Sequence, residues 1–138
     1  MTEKKPILAA ILGIVIAGML LASIVFVLPS LFQKPDPLVF SLNNMDINDH
    51  EVAVEIFDSN NNSIFKESYL LVPGEYVKSP KITCIIGTYK YEITLDNNIT
   101  KTQMADVRYA TTLSSSDSLI IAIVDDPDDP LDIGVVVS

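Results

Sequence analysis

The chain has 138 residues and a formal net charge of −9, with 18 acidic against nine basic side chains. Nucleic-acid binding requires a basic surface, so this charge balance excludes it as a function class. A single cysteine and a single histidine also exclude an intrachain disulfide, blue-copper centres and most zinc sites.

The first predicted element is a transmembrane helix over Ile7–Leu28, which contains no charged or amide side chain. A helix of this length measures about 33 Å and can cross a hydrocarbon core of about 30 Å. Residues 1–6 form a short cytoplasmic tail, because Lys4 and Lys5 favour keeping that end of the helix inside the cell. We therefore expect a single-pass protein of the cell membrane whose C-terminal domain is extracellular.

Other interpretations of this helix stay open. A cleavable signal peptide has a shorter apolar region followed by small residues, and a pilin-like leader would be trimmed near Lys5. Ala9, Gly13 and Ala17 recur at four-residue spacing, which allows two helices to approach closely and form a homodimer. The same residues are also simply common in membrane helices.

A spacer and one domain follow the helix. Residues 29–37 contain three prolines and no apolar period, which is typical of a stiff spacer. Residues 38–138 have a size that is common for a single domain. From residue 33 onwards the chain holds seven Lys and Arg against 17 Asp and Glu, which also argues against docking on anionic lipid heads.

This domain is predicted to be all-β, because its apolar residues recur with period two between turn signals. Gly87–Leu95 has the clearest alternation and is predicted to be a central strand. His50–Asp58 and Ile64–Leu71 are predicted to form a hairpin. Further strands are predicted in Tyr76–Ile86, Ile99–Thr112, Leu119–Val124 and Ile133–Val137. About seven strands at spacings near ten residues predict an antiparallel two-sheet sandwich.

The segment Leu71-Val72-Pro73-Gly74-Glu75, followed by Gly87-Thr88-Tyr89-Lys90-Tyr91, resembles the small immunoglobulin-like modules of prokaryotic cell surfaces. It is most similar to the cell-adhesion-related bacterial type and to archaeal envelope proteins. The resemblance covers about residues 38–138 and implies an immunoglobulin-like fold and a surface location, with no catalytic or cofactor-binding residue.

Four residues of these motifs are expected to have structural roles: Tyr89, Pro73, Gly74 and Gly87. Tyr89 stands where such folds place a tyrosine corner, whose hydroxyl bonds to nearby backbone. Tyr91 stands where antibody domains have a disulfide cysteine. The lone Cys84 is interpreted as a small buried apolar residue, with an intermolecular disulfide as the alternative.

A run of carboxylates supplies the oxygen ligands that Ca²⁺ prefers. It comprises Asp125, Asp126, Asp128, Asp129 and Asp132. The spacing matches no defined calcium loop and lacks the glycine of such loops, so a solvated turn is the alternative and no other cofactor is expected. Asn61 and Asn98 begin glycosylation sequons at predicted turns.

Nothing in the sequence singles out a catalytic pair of carboxylates, so we expect no enzyme. The predicted function is a non-catalytic, membrane-anchored module that binds an envelope protein, surface layer or glycan in adhesion or envelope structure. The alternative is a pilin-like filament subunit, or a secretion or archaellum accessory protein, that assembles through its N-terminal helix.

Overall fold

A computed structural model describes residues 11–21 and 33–137 of the chain. The chain divides into two compact units, Met1–Gln33 and Lys34–Ser138, and each is described by itself. Residues 11–21 of the first unit are α-helical and exposed. In the two described ranges, no helix is both long enough and apolar enough to cross a membrane.

Several predictions for the N-terminal region fall partly or wholly outside the described residues. These are the tail 1–6 with Lys4 and Lys5, the two ends of the predicted helix Ile7–Leu28, Ala9, and the first part of the spacer. Gly13 and Ala17 lie in the described helix, one turn apart. The membrane span, its orientation and the helix homodimer therefore stay predictions.

The second unit is built from eight β-strands. They are β1 (Val39–Asn44), β2 (His50–Phe57), β3 (Ser63–Leu71), β4 (Tyr76–Lys78), β5 (Gly87–Leu95), β6 (Ile99–Val107), β7 (Ser118–Ile123) and β8 (Leu131–Val136). The all-β prediction is confirmed, and β5 has the predicted bounds. β1 was not predicted, and the weak strand predicted in Tyr76–Ile86 is reduced to the three residues of β4.

The strands form two four-stranded sheets. Sheet one has the order β4-β1-β7-β8, and sheet two has the order β3-β2-β5-β6. The predicted two-sheet sandwich is confirmed, but one pair departs from the predicted antiparallel pairing, because β1 runs parallel to β7. The reason is the path of the chain: after β4 it leaves sheet one for β5 and β6, and it enters β7 through residues 108–117 from the end at which β1 begins.

The core lies between the two sheets and takes alternate residues from each strand. From sheet two it buries the predicted faces of β2 and β5, and Ala105 and Val107 of β6 also point inward. Tyr109 does not continue this face: β6 ends at Val107, and Tyr109 is exposed. Sheet one contributes seven further buried apolar residues: Leu38, Phe40, Leu42, Leu119, Ile121, Ile123 and Leu131.

An aromatic cluster occupies the centre of this core. The ring of Phe40 packs edge-on against the rings of Phe65, Tyr69 and Tyr91, with centroid distances of 5.7, 6.1 and 6.1 Å. Edge-to-face pairs contribute about 0.5–1.5 kcal/mol beyond the area that they bury. Phe40 lies in sheet one and Tyr91 in sheet two, so this cluster joins the two sheets.

Candidate functional site

The two ends of the sandwich differ in what they carry. The chain enters at the end where β1 begins, and there Pro35 forms a bridge with Tyr109. Strand directions place four connections at the opposite end: residues 45–49, 72–75, 96–98 and 124–130. We call these four loops the acidic end. Loops held on a rigid sandwich are common positions for binding residues.

Asn44, the last residue of β1, fixes two of these loops. It is fully buried, and its amide nitrogen donates to the carbonyls of Asn48 and Leu71 at 2.8 and 3.0 Å. Its amide oxygen accepts the N–H of Asp46 at 3.0 Å, and its backbone carbonyl accepts the N–H of Gly74 at 2.7 Å. Because a buried amide is costly to leave unpaired, the loops after β1 and β3 are held to this residue.

His50 ties the loop after β1 to the turn between β5 and β6. Its Nε2 lies 2.6 Å from Asp46 Oδ2, and its Nδ1 lies 2.6 Å from Asp96 Oδ2. The other oxygen of Asp96 accepts the N–H of Glu51 at 2.9 Å. An ionised carboxylate can only accept, so both contacts are hydrogen bonds when both ring nitrogens carry protons and His50 is a cation. A ring engaged on both sides holds loops together and offers no free nitrogen for base catalysis.

The environment shifts the pKa values of His50 and Asp46. Burial opposes the charge of His50, but the hydrogen bonds to Asp46 and Asp96 outweigh it, and the pKa of His50 is raised above 6.5. The hydrogen bond from His50, assisted by the N–H of Ile47, lowers the pKa of Asp46. The pair is therefore charged over a range of pH that extends on both sides of the intrinsic values.

Most of the negative charge of the domain lies at the acidic end. Ten of the 17 carboxylates lie in its four loops or within two residues of them, and no Lys or Arg does. Lys101 of β6 reaches back to the carboxylate of Asp129 and to the carbonyl of Leu131. An excess of one sign on one end attracts cationic partners over about a Debye length.

Three apolar side chains within these four loops are exposed. Met45 and Ile47 in the loop after β1 are 62% and 79% exposed, and Val72 in the loop after β3 is 50% exposed. Single exposed apolar residues are ordinary, but these three stand on loops that Asn44 joins. We call Met45, Ile47 and Val72 the apolar tip.

The five aspartates of the calcium prediction lie in the loop between β7 and β8 and at the start of β8. Two of them have other partners: Asp126 accepts the N–H of Asp128 at 3.0 Å, and Asp129 pairs with Lys101. Across residues 11–21 and 33–137, no group of three or more His, Cys, Asp or Glu side chains has a geometry suited to a metal ion. Calcium binding therefore stays a hypothesis from the sequence alone.

Both sequon asparagines are exposed at hairpin turns. Asn61, in the turn between β2 and β3, adopts a positive φ of 63°, and Asn98 lies in the turn between β5 and β6. The two positions are at opposite ends of the sandwich, and only Asn98 belongs to the acidic end. Their glycosylation stays a prediction.

The four residues expected to be structural occupy turns and strand ends. The Tyr89 hydroxyl donates to the carbonyl of Ile85, four residues earlier, at 2.7 Å, which is the contact of a tyrosine corner. Pro73 and Gly74 are the central residues of a turn closed by the Glu75 N–H and the Val72 carbonyl at 3.1 Å. Gly74 has a φ of 78° and Gly87, at the start of β5, a φ of 155°.

Cys84 lies in the segment between β4 and β5 and is half-buried against the core. Its thiol donates to the carbonyl of Ile82 at 3.6 Å, and burial raises the pKa of the thiol. A raised pKa keeps the group protonated near neutral pH, so it is a poor nucleophile.

The end where the chain enters is held by a second polar cluster. Asp117, which is buried, accepts from the guanidinium of Arg108 at 2.7 Å and from the N–H of Asp106 at 2.8 Å. The neighbouring Ser116 donates its hydroxyl proton to the carbonyl of Asp36 at 2.6 Å. Asp36, near the end of the predicted spacer 29–37, is thereby fastened to the sandwich.

Sequence reasoning missed Asn44, His50 and the apolar tip as parts of one site. The signal for Asn44 was present, because a polar residue followed the alternating Phe40 and Leu42 on the inward face. His50 and Asp96 are 46 residues apart in the chain, and only the register of β2 against β5 brings them together.

Comparison of the chain with models of protein families and with curated proteins finds no match. The resemblance to immunoglobulin-like surface modules therefore stays a prediction from the sequence motifs.

Proposed function

We propose that this chain is a non-catalytic, membrane-anchored module of the cell surface that binds an envelope protein, surface layer or glycan through its acidic end. The observation that carries the proposal is the fixed position of the apolar tip. It lies on loops locked by Asn44, at the end of the sandwich opposite the end where the chain enters.

The charge of the acidic end indicates what kind of partner fits. Carboxylates at the same end of the sandwich as exposed apolar side chains favour a surface that offers lysine or arginine beside an apolar group, since complementary charge guides association and fixes its register. Anionic lipid heads are repelled by the same charge. The acidic end therefore suits contacts away from the membrane.

In this proposal the domain is immunoglobulin-like in the broad sense of a two-sheet sandwich. The antibody constant type places its first, second, fourth and fifth strands in one sheet. Here the first, fourth, seventh and eighth strands share a sheet. The proposed relationship to cell-adhesion modules concerns architecture and location and does not extend to a shared strand order.

Anchoring and orientation are tested by labelling whole cells with a membrane-impermeant maleimide. In a Cys84→Ser background, a cysteine placed by Asp126→Cys should be labelled in intact cells, whereas one placed by Thr2→Cys should be labelled only after lysis. Equal labelling of both positions in intact cells would contradict the proposed orientation. Trimming of the mature chain near Lys5, seen by mass spectrometry, would favour the filament alternative instead.

Binding is tested by placing a photo-crosslinking amino acid at Ile47 of the full-length chain in native membranes. The matched control carries it at Ser68, an exposed position on the outer face of sheet two. We expect a discrete adduct from Ile47 and none from Ser68, and loss of the adduct with Met45→Ser and Val72→Ser together. The same pattern of adducts from both positions would refute a binding site at the acidic end.

A further inference from the structure

The outer face of sheet one differs from the outer face of sheet two. Its two central strands point six uncharged, mostly small residues outward: Val39, Ser41, Asn43, Ser118, Ile120 and Ala122. The central strands of sheet two, by contrast, point Glu55, Lys90 and Glu92 outward. A face without charge on the central strands of so acidic a domain is suited to close contact with another surface.

Charged residues appear only at the two edges of this face. Lys78 lies on β4 at one edge, and Asp132 lies on β8 at the other. Tyr76 and Asp132 belong to the same row across the sheet, through the pairs Asn43–Tyr76, Asn43–Ala122 and Ala122–Asp132. Lys78 belongs to the next row, two residues along the strand, which is a distance of about 7 Å.

We propose that this face packs against the same face of a second copy of the chain, about a twofold axis parallel to the strands. That axis places β4 of one copy over β8 of the other. The Tyr76 hydroxyl then faces Asp132 of the second copy, and the flexible Lys78 side chain spans the offset of one row to reach the same carboxylate. The contact is isologous, so each pair forms twice.

The orientation of the axis rests on the proposed anchoring, whereas the choice of face does not. With the axis parallel to the strands, both chains enter their sandwiches at the same end, as two proteins anchored in one membrane require. Both acidic ends then point the same way and present two apolar tips side by side.

The size of the face sets the strength of the contact. Three strands of six residues and the three residues of β4, with strands about 4.8 Å apart and about 3.4 Å per residue, give about 340 Å² per copy, or about 700 Å² in total. Stable interfaces bury about 1,200–2,000 Å². The contact is therefore weak between free domains and forms when anchoring in one bilayer raises the effective concentration.

The test uses the purified full-length chain in lipid vesicles and a short bismaleimide crosslinker. In a Cys84→Ser background, Ser41→Cys near the proposed axis is compared with Ser68→Cys on the outer face of sheet two. We expect at least a tenfold higher yield of crosslinked product from Ser41→Cys, at twice the chain mass of 15.1 kDa. Equal yields would overturn the proposal. In native membranes, a product of any other mass would show that a different protein covers this face and would also overturn it.

Charge reversal tests the axis. Lys78→Asp and Asp132→Lys should each lower the yield from Ser41→Cys about threefold or more, and the two together should restore it. Lys66→Asp, on the other sheet, should leave the yield unchanged. A double variant no better than the single variants would overturn the proposal, provided that thermal melting shows each variant folded. Only this chain is present in the vesicles, so the result does not depend on whether the acidic end binds a partner.

Discussion

At the scale of single residues, substitution by phenylalanine is expected to change the free energy of unfolding in opposite directions at two tyrosines of β5. Tyr91 is fully buried, and within the described part of the chain its hydroxyl has no hydrogen-bond partner. Tyr91→Phe should therefore raise the free energy of unfolding by about 1 kcal/mol, because an unpaired buried hydroxyl is removed. Tyr89→Phe should lower it by about 1 kcal/mol, since the bond to the Ile85 carbonyl is lost.

Urea unfolding of both variants, monitored by circular dichroism, measures these changes. Two residues apart on one strand and on one face, the tyrosines lose the same atom and keep their rings in the same core. If Tyr91→Phe lowers stability as much as Tyr89→Phe does, then the Tyr91 hydroxyl has a partner and the interpretation of the core is wrong.

The pKa shifts of His50 and Asp46 predict that the stability of the domain depends on pH. Its pKa is raised on folding, so its stabilising contribution is complete below the unfolded value of about 6.5 and is lost as the pH rises through the folded value. The pKa of Asp46 is lowered, so its contribution is present above about 3.9 and is lost as the pH falls through the folded value. The pair stabilises the loops most between these two intrinsic values.

Thermal melting of the wild type and of His50→Gln from pH 4 to pH 9 tests this prediction. The melting temperature of the variant should lie below that of the wild type by about 4–8 °C at pH 5.5, which corresponds to about 1 kcal/mol. The difference should shrink above neutral pH. A difference that stays constant with pH would show that the His50 ring acts by packing alone.

These residues also show what the sequence can and cannot predict. The Tyr89 contact was predictable because donor and acceptor are four residues apart, within the reach of a local motif. Asn44 bonds to the carbonyl of Leu71, 27 residues away, and His50 bonds to Asp96 across a sheet. Such pairs depend on register and on loop paths, which residue spacing along the chain does not contain.

At the scale of elements, the turns are where backbone conformation decides the choice of residue. Gly74 has a φ of 78°, and a Cβ there would meet nothing within 4 Å. Gly74→Ala should therefore lower the free energy of unfolding by about 1 kcal/mol through backbone strain alone. Asn97, in the turn between β5 and β6, also has a positive φ, of 56°. Asn97→Gly should change stability by less than about 0.5 kcal/mol, because relief of strain offsets the greater freedom of the unfolded chain.

Urea unfolding of the two variants measures this contrast. A loss for Gly74→Ala that is no larger than the change for Asn97→Gly would mean that the turn between β3 and β4 relaxes to another conformation. The Gly74 N–H bonded to the Asn44 carbonyl would then be released as well, and the apolar tip would lose its fixed position.

The accuracy of each strand prediction follows how regularly apolar residues alternate on the inward face of that strand. β5 alternates over its whole length and has its predicted bounds, and β2 differs by one residue. β1 holds only two inward apolar residues, Phe40 and Leu42, before the buried Asn44, so its apolar period is too short to stand out. Its parallel pairing with β7 joins residues about 80 positions apart, and no local pattern indicates which strands become neighbours.

At the scale of the whole domain, charge is distributed along the strand direction. The acidic end carries most of the net charge, whereas the other end pairs Arg108 with Asp106 and Asp117. Self-repulsion among loops that are close together costs stability and is relieved by salt. The same loops must stay in place for the apolar tip to be presented, and Asn44 and His50 oppose the repulsion there.

This distribution predicts a response to salt that also tests the calcium hypothesis. Raising NaCl from about 20 mM to about 500 mM shortens the Debye length from about 20 Å to about 4 Å, so the melting temperature of the full-length protein should rise.

CaCl₂ at equal ionic strength should raise the melting temperature no further, because Asp126 and Asp129 are engaged by backbone N–H groups and by Lys101. Asp125→Asn with Asp128→Asn, which removes two charges, should raise the melting temperature at low salt. An additional rise in millimolar CaCl₂ that the double variant abolishes would instead establish a calcium site in the loop between β7 and β8.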